Sequence, residues 1–304
     1  MTTPVRLRDV TLRDGLQLTG QLLDARTKVG LARFLLGAGI DELEIGAMAR
    51  PDLVPPMANT VEVIEALTPE ERQRCWVWTA TPRGIARAVA AGAQNVQYCL
   101  SVSDAHNRAN VGRATTQSMA ALPEAIDIAA LGGARVQLTL ATAFTCPYRG
   151  AVDPQHVVNL VSDNRTAGIS SVVLCDTLGQ ATPDQVRQLV SRVHEVAPEH
   201  EIVFHGHDTW GLGVANTMAA IQAGAAVVDG ALGGLGGCPF APGASGNTST
   251  EDLLFALQPA WLTPSVFSDV VTAGAQILAR LGEPNRSRAA EGARSTADVF
   301  PWVT

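Results

Sequence analysis

Val5-Arg6-Leu7-Arg8-Asp9-Val10, followed by Thr11-Leu12-Arg13-Asp14-Gly15, is the stretch on which the fold turns. The first six residues read as a strand. A doubly wound open sheet would follow its first strand with a glycine-rich phosphate turn. Thr-Leu-Arg-Asp-Gly is no such turn, so the alternative α/β architecture, a closed barrel, has to be counted out along the chain. Seven more apolar runs follow: 42–45, 76–80, 95–100, 135–140, 171–174, 202–205 and 226–230. Helical patterns separate them, at 25–36, 58–67, 83–91, 117–131, 154–167, 183–196 and 213–223. Eight such strand–helix steps predict an α/β fold, a (β/α)8 TIM barrel with a C-terminal helical extension. The repeated helix-end, glycine, strand phrase at Ala90–Ala93 and Gln222–Ala225 supports the same repeat. Residues 1–260 read as the catalytic barrel, and 261–304 as a helix and tail packed on it.

Composition narrows the function classes. The 304 residues carry 22 basic and 29 acidic groups, a net charge of -7, which argues against nucleic-acid binding. Lys28 is the sole lysine and falls in a helical stretch, which disfavours Schiff-base chemistry. Five cysteines without C-x-x-C spacing, no secretory leader and no membrane-length apolar run lead to the expectation of a cytoplasmic protein with no membrane partner.

In such a barrel the chemistry sits at the C-terminal ends of the strands. His205-Gly206-His207-Asp208 ends the seventh run, and residues i and i+2 of a strand share a face, so both imidazoles can converge on one ion. Asp14 follows strand one, and strands one and seven both neighbour strand eight. Two imidazoles and a carboxylate, with positions left open, suit a divalent ion such as Mg²⁺ or Mn²⁺. Taken alone, Arg13-Asp14 reads equally well as a surface ion pair. Glu44 and Asp176 end strands two and six and are placed to point into the same mouth. The glycine-rich run 233–247 presents Cys238 in a loop able to approach a ligand. Single histidines (His106, His156, His194, His200) and Cys75, Cys99 and Cys175 read as structural.

At Arg13-Asp14-Gly15-Leu16-Gln17, Cys146-Pro147-Tyr148, His205 to Thr209 and above all Gly234 to Asn247, the chain resembles the hydroxymethylglutaryl-CoA lyase family of metal-dependent barrel lyases and Claisen-type synthases. The resemblance implies Asp14, His205, His207 and Asn247 as metal ligands, with the ion as Lewis acid and template for the substrate's tertiary alcohol. It implies Arg13 as the group that stabilises the thioester enolate, and Cys238 as the acid that protonates it. Glu44, Asp176 and Glu251 become supporting or proton-transfer groups. Its reaction is retro-Claisen cleavage of an acyl-CoA to acetyl-CoA and a 3-oxo acid. The chain departs from the lyases at Thr11-Leu12, after Glu44 and at Ala141 to Thr145. Those departures leave open a citramalyl-CoA or 3-hydroxy-3-alkylglutaryl-CoA substrate, for which Arg50 or Arg108 offers a partner for an extra carboxylate. A condensing synthase and an inactive binding barrel are the remaining alternatives. Arg83, Arg108, Arg113 and Arg149 are candidates for the CoA phosphates, and a homodimer through the C-terminal helix is expected from family habit.

Overall fold

The computed structural model describes residues 5–237 and 246–293. Eight strands close into one parallel barrel: β1 (Arg6–Asp9), β2 (Glu42–Ala47), β3 (Cys75–Thr79), β4 (Asn95–Ser101), β5 (Arg135–Ala141), β6 (Ser171–Asp176), β7 (Glu201–Gly206) and β8 (Val227–Gly230). Each strand pairs with its neighbour in sequence, and β8 closes onto β1 through Arg6↔Val227 to Asp9↔Gly230. The strands are buried along nearly their whole length, as expected where helices cover the outside of a parallel sheet.

Several helices start on the same chemical cue. Thr81-Pro82, Asp153-Pro154, Thr182-Pro183 and Thr263-Pro264 each place a capping oxygen ahead of a proline in the first turn. The cap oxygen satisfies an N–H that the helix cannot, worth about 1 kcal/mol each, and the proline lacks an N–H to waste. The last long helix, Pro264–Leu281, buries Phe267, Val270, Ile277 and Leu278. No helix among the described residues is long and apolar enough to cross a membrane.

The helix expected over 154–167 stops at Val161, and a short turn at Asn164–Thr166 follows, because Asp163 caps the N–H of Arg165. A helix at Asp104–Val111, a two-stranded hairpin (Thr145–Cys146 with Gly150–Ala151) and the helix Thr250–Leu257 were not anticipated.

The barrel interior is unusually polar. Arg8 is wholly buried; its Nη2 and Nε donate to Glu42 Oε2 at 2.6 and 3.1 Å, and its Nη1 donates to Gln137 at 2.7 Å. Its guanidinium lies 4.8 Å from the Trp76 ring centroid. Gln97 donates to Glu44, and Gln137 donates to Ser171 Oγ at 2.6 Å. A buried charge is tolerated only when paired and hydrogen-bonded, which this layer achieves. It forms the floor under the groups at the mouth.

Candidate active site

The strand termini bring together residues far apart in sequence. After β1 the backbone makes one wide turn, Thr11–Gly15, with the N–H groups of Arg13 and Gly15 both donating to Val10 O at 3.1 Å. This turn aims Arg13 and Asp14 into the mouth of the barrel. Arg13 Nη1 donates to Asp14, while its Nε donates to Glu44 Oε2 at 2.5 Å. Glu44 thus lies beneath Arg13 and fixes it from the barrel interior. Burial opposes ionisation of Glu44, but Arg13 and Arg8 outweigh it and hold its pKa below the usual value.

Asp14, His205 and His207 form a buried cluster whose candidate ligand atoms all lie within 4.8 Å of one another. His207 Nε2 is 3.5 Å from Asp14 Oδ2, and the two imidazole centroids are 5.1 Å apart. Asn247 Nδ2 donates to Asp14 Oδ2 and to Leu235 O, both at 2.9 Å. That leaves Asn247 Oδ1 buried without a hydrogen-bond partner, and His207 Nδ1 is likewise unpartnered. Orphaned buried acceptors beside a carboxylate and two imidazoles are the donor set a divalent ion requires. Burial would raise the Asp14 pKa, yet Arg13 and the two histidines hold it well below the carboxylate range. The glycine before Asn247 is obligatory: Gly246 has φ +106°, and an added Cβ would stand 2.7 Å from both Gly234 O and Gly236 O.

Two carboxylates read from the sequence are turned elsewhere. Asp176 accepts the N–H groups of Gln180 and Ala181, each at 3.1 Å, so it holds the turn after β6 and does not line the cavity. Burial raises its pKa against those bonds. Glu251 accepts Gly233 N–H at 2.8 Å and Ser249 Oγ–H at 2.7 Å, which fixes the backbone after β8; burial pushes its pKa to about 7. Both carboxylates are therefore committed to backbone and hydroxyl donors. Cys238 lies outside the described residues. Arg108 is exposed and pairs with Asp104, whereas Arg50, also exposed and paired with Asp52, lines the cavity.

The cavity above this cluster measures about 670 Å³ and is lined among others by Arg13, Asp14, Met48, Met57, Trp78, His106, His205 and His207. His106, read from the sequence as structural, belongs to its wall, with Nδ1 2.7 Å from Ser101 Oγ. Cys99 and Cys175 also line it, but burial pushes both thiol pKa values upward, Cys99 to about 12, which keeps them protonated.

Asp229 on β8 is the residue sequence reasoning missed. Its Oδ1 lies 2.9 Å from His205 Nδ1, so it orients that ring and would leave Nε2 available to a metal ion. The signal was present: a carboxylate inside the otherwise apolar run Ala-Ala-Val-Val is costly without a partner. Above about pH 9, where His205 is neutral with or without its carboxylate partner, Asp229→Asn should weaken Mg²⁺ binding about tenfold in a calorimetric titration, because the ring loses the group that orients it. Unchanged affinity would show that His205 needs no such support.

A closed parallel barrel with a buried carboxylate–imidazole cluster and a clamped guanidinium at the strand C-termini is the architecture of a metal-site TIM-barrel enzyme. A family model described as HMGL-like matches residues 4–274, and the chain belongs to this family. It is 34% identical over 286 residues to the hydroxymethylglutaryl-CoA lyase of Pseudomonas mevalonii, covering 94% of this chain and 95% of that one. It is also 34% identical to the (R)-citramalyl-CoA lyase of Chloroflexus aurantiacus, covering 92% of each. Among solved structures, an HMG-CoA lyase from Acinetobacter baumannii in complex with coenzyme A and 3-methylmalate superimposes with a TM-score of 0.87 at 33% identity, covering 99% of both chains.

Proposed function

We propose that the protein is a carbon–carbon lyase that cleaves a 3-hydroxy-3-methylglutaryl-CoA-like thioester to acetyl-CoA and a 3-oxo acid. The observation that carries this reading is the Asp14–His205–His207 cluster, with the unpartnered Asn247 Oδ1, beside Arg13 on the floor of a large cavity. Mg²⁺ or Mn²⁺ held by these four residues would supply Lewis-acid polarisation and a template for the substrate's oxygens.

The chain's own groups account for the remaining demands. Once the hydroxyl proton is lost, the alkoxide collapses to a carbonyl and the electrons of the breaking bond pass into the thioester. Arg13, fastened by Glu44 and Asp14, faces the cavity and supplies positive charge where the enolate oxygen develops. Cys238 is the proposed acid that returns a proton to the enolate carbon. Glu251 and Asp176 act by fixing the backbone around the mouth.

The likeness to a citramalyl-CoA lyase supports a second reading in which the acyl group differs and the cleavage chemistry is shared. A coupled assay offering 3-hydroxy-3-methylglutaryl-CoA and (R)-citramalyl-CoA with Mg²⁺ decides between them. Metal-dependent acetyl-CoA release, abolished by chelator, is the expected result. No release from either thioester would refute the lyase reading.

A further inference from the structure

Lys28 is the only lysine in the chain, it is completely buried, and the proposed chemistry makes no use of it. It sits in the first turns of the helix Ala25–Ala38, outside the cavity lining. Its Nζ donates to Pro56 O at 2.5 Å and to Asn59 Oδ1 at 2.6 Å. Asn59 in turn donates from Nδ2 to Leu23 O at 2.9 Å. Both acceptors of the ammonium are neutral, so its burial is not offset by a directly bonded carboxylate. Burial lowers the Lys28 pKa to about 8, with the charge of Glu62 opposing the shift. A charge kept in so costly a place needs a reason.

The reason is legible in what Pro56 and Asn59 belong to. They close the segment that runs from the end of β2 to the helix Thr60–Ala66. Met48, Ala49, Arg50, Leu53, Val54 and Met57 of that segment form one wall of the cavity. Thr60 Oγ1 accepts the Ala47 N–H at 3.2 Å and donates to Met57 O at 2.8 Å, which ties the two ends of the segment to each other. The far end has little regular structure beyond the short turn Pro55–Met57. Ordering such a segment costs conformational entropy in proportion to its length, and anchors at its end recover it.

We infer that Lys28 is a positioning residue, which ties the segment 48–59 to the helix Ala25–Ala38 and so sets the wall against which the substrate binds. It acts on substrate binding and leaves the metal cluster alone, because Asp14, His205, His207 and Asn247 are held by other partners. This inference rests on the proposed reading only for the choice of assay substrate.

Lys28→Met removes the donors while keeping the length of the chain. It should raise KM for the cleaved thioester about tenfold, the effect of about one lost charge-assisted hydrogen bond. The value of kcat should stay within about threefold, and Mg²⁺ affinity should be unchanged. Hydrogen exchange of the amides of residues 48–57 should quicken in the same variant, and exchange in β7 should not. An unmoved KM together with unmoved exchange would overturn the inference, as would an equal loss of metal binding. Should Lys28→Met fail to fold, Asn59→Leu removes one of the two acceptors. The same segment-specific exchange and rise in KM are then expected, and their absence decides against it. If the wild-type enzyme cleaves neither thioester, the lyase reading falls, while the exchange measurement still decides the role of Lys28.

Discussion

Arg13→Gln should lower kcat about a thousandfold while the protein still folds and takes up Mg²⁺. The magnitude follows from the removal of a preorganised donor at a site of developing negative charge. Its basis in this chain is the clamp: Glu44 holds Nε at 2.5 Å and Asp14 receives Nη1, so the guanidinium needs no reorganisation when charge appears. Arg13→Lys should not restore the rate, because a single ammonium cannot serve Glu44 and Asp14 as a fork and also face the cavity. Metal uptake should persist, since Asp14 keeps the two histidines as electrostatic partners. The measurement is steady-state kinetics beside a metal titration. A kcat within threefold of wild type would remove Arg13 from the reaction.

The parts of this site differ in how openly the sequence declares them. His205 and His207 are visible because a strand's two-residue period is local, so spacing alone puts both rings on one face. Asp14 needed only the knowledge that a closed barrel makes β1 and β7 both neighbours of β8, which the structure bears out. Strand ends were harder. β2 runs on to Ala47, β6 to Asp176 and β7 to Gly206, each beyond the apolar run that announced it. Gly46, Asp176 and Gly206 interrupt the apolar run at those ends, so the hydrophobic pattern by which strands are recognised stops short of them.

The supporting layer was almost invisible. Arg8, Gln97 and Gln137 are polar residues within strands, and nothing local distinguishes a partner in a barrel floor from a side chain facing water. Gln97 and Gln137 meet through the register of β4 on β5, and Arg8 reaches Gln137 only across the closed barrel. The resemblance implies Glu251 as a supporting or proton-transfer group, but its hydrogen bond to Gly233 spans 18 residues and depends on the turn after β8. His106 reads as structural because a single histidine carries no spacing signal, while the helix Asp104–Val111 places it on the cavity wall.

Apparent Mg²⁺ affinity should rise about tenfold per pH unit between about pH 7 and 9, and then level off. The cause lies in the His205–Asp229 pair. Burial alone would lower the His205 pKa, but Asp229 at 2.9 Å, aided by Asp14, holds it up at about 9. In the metal-free protein at neutral pH the imidazole is therefore protonated, and an incoming ion must displace that proton before Nε2 can bind it. The sign of the accompanying stability effect is opposite for the two forms. Without metal, the raised pKa contributes stability that is complete below the unfolded value of 6.5 and is lost as pH rises through about 9. With metal, the same rise in pH removes a competitor and strengthens the complex. Calorimetric titrations in buffers of different ionisation enthalpy should record about one proton released per Mg²⁺ at pH 7 to 8. Asp229→Asn should flatten the dependence, because an imidazole without its carboxylate partner is already neutral near pH 7. A wild-type affinity that does not change with pH would mean that His205 enters the site unprotonated, and Asp229 would then serve orientation alone.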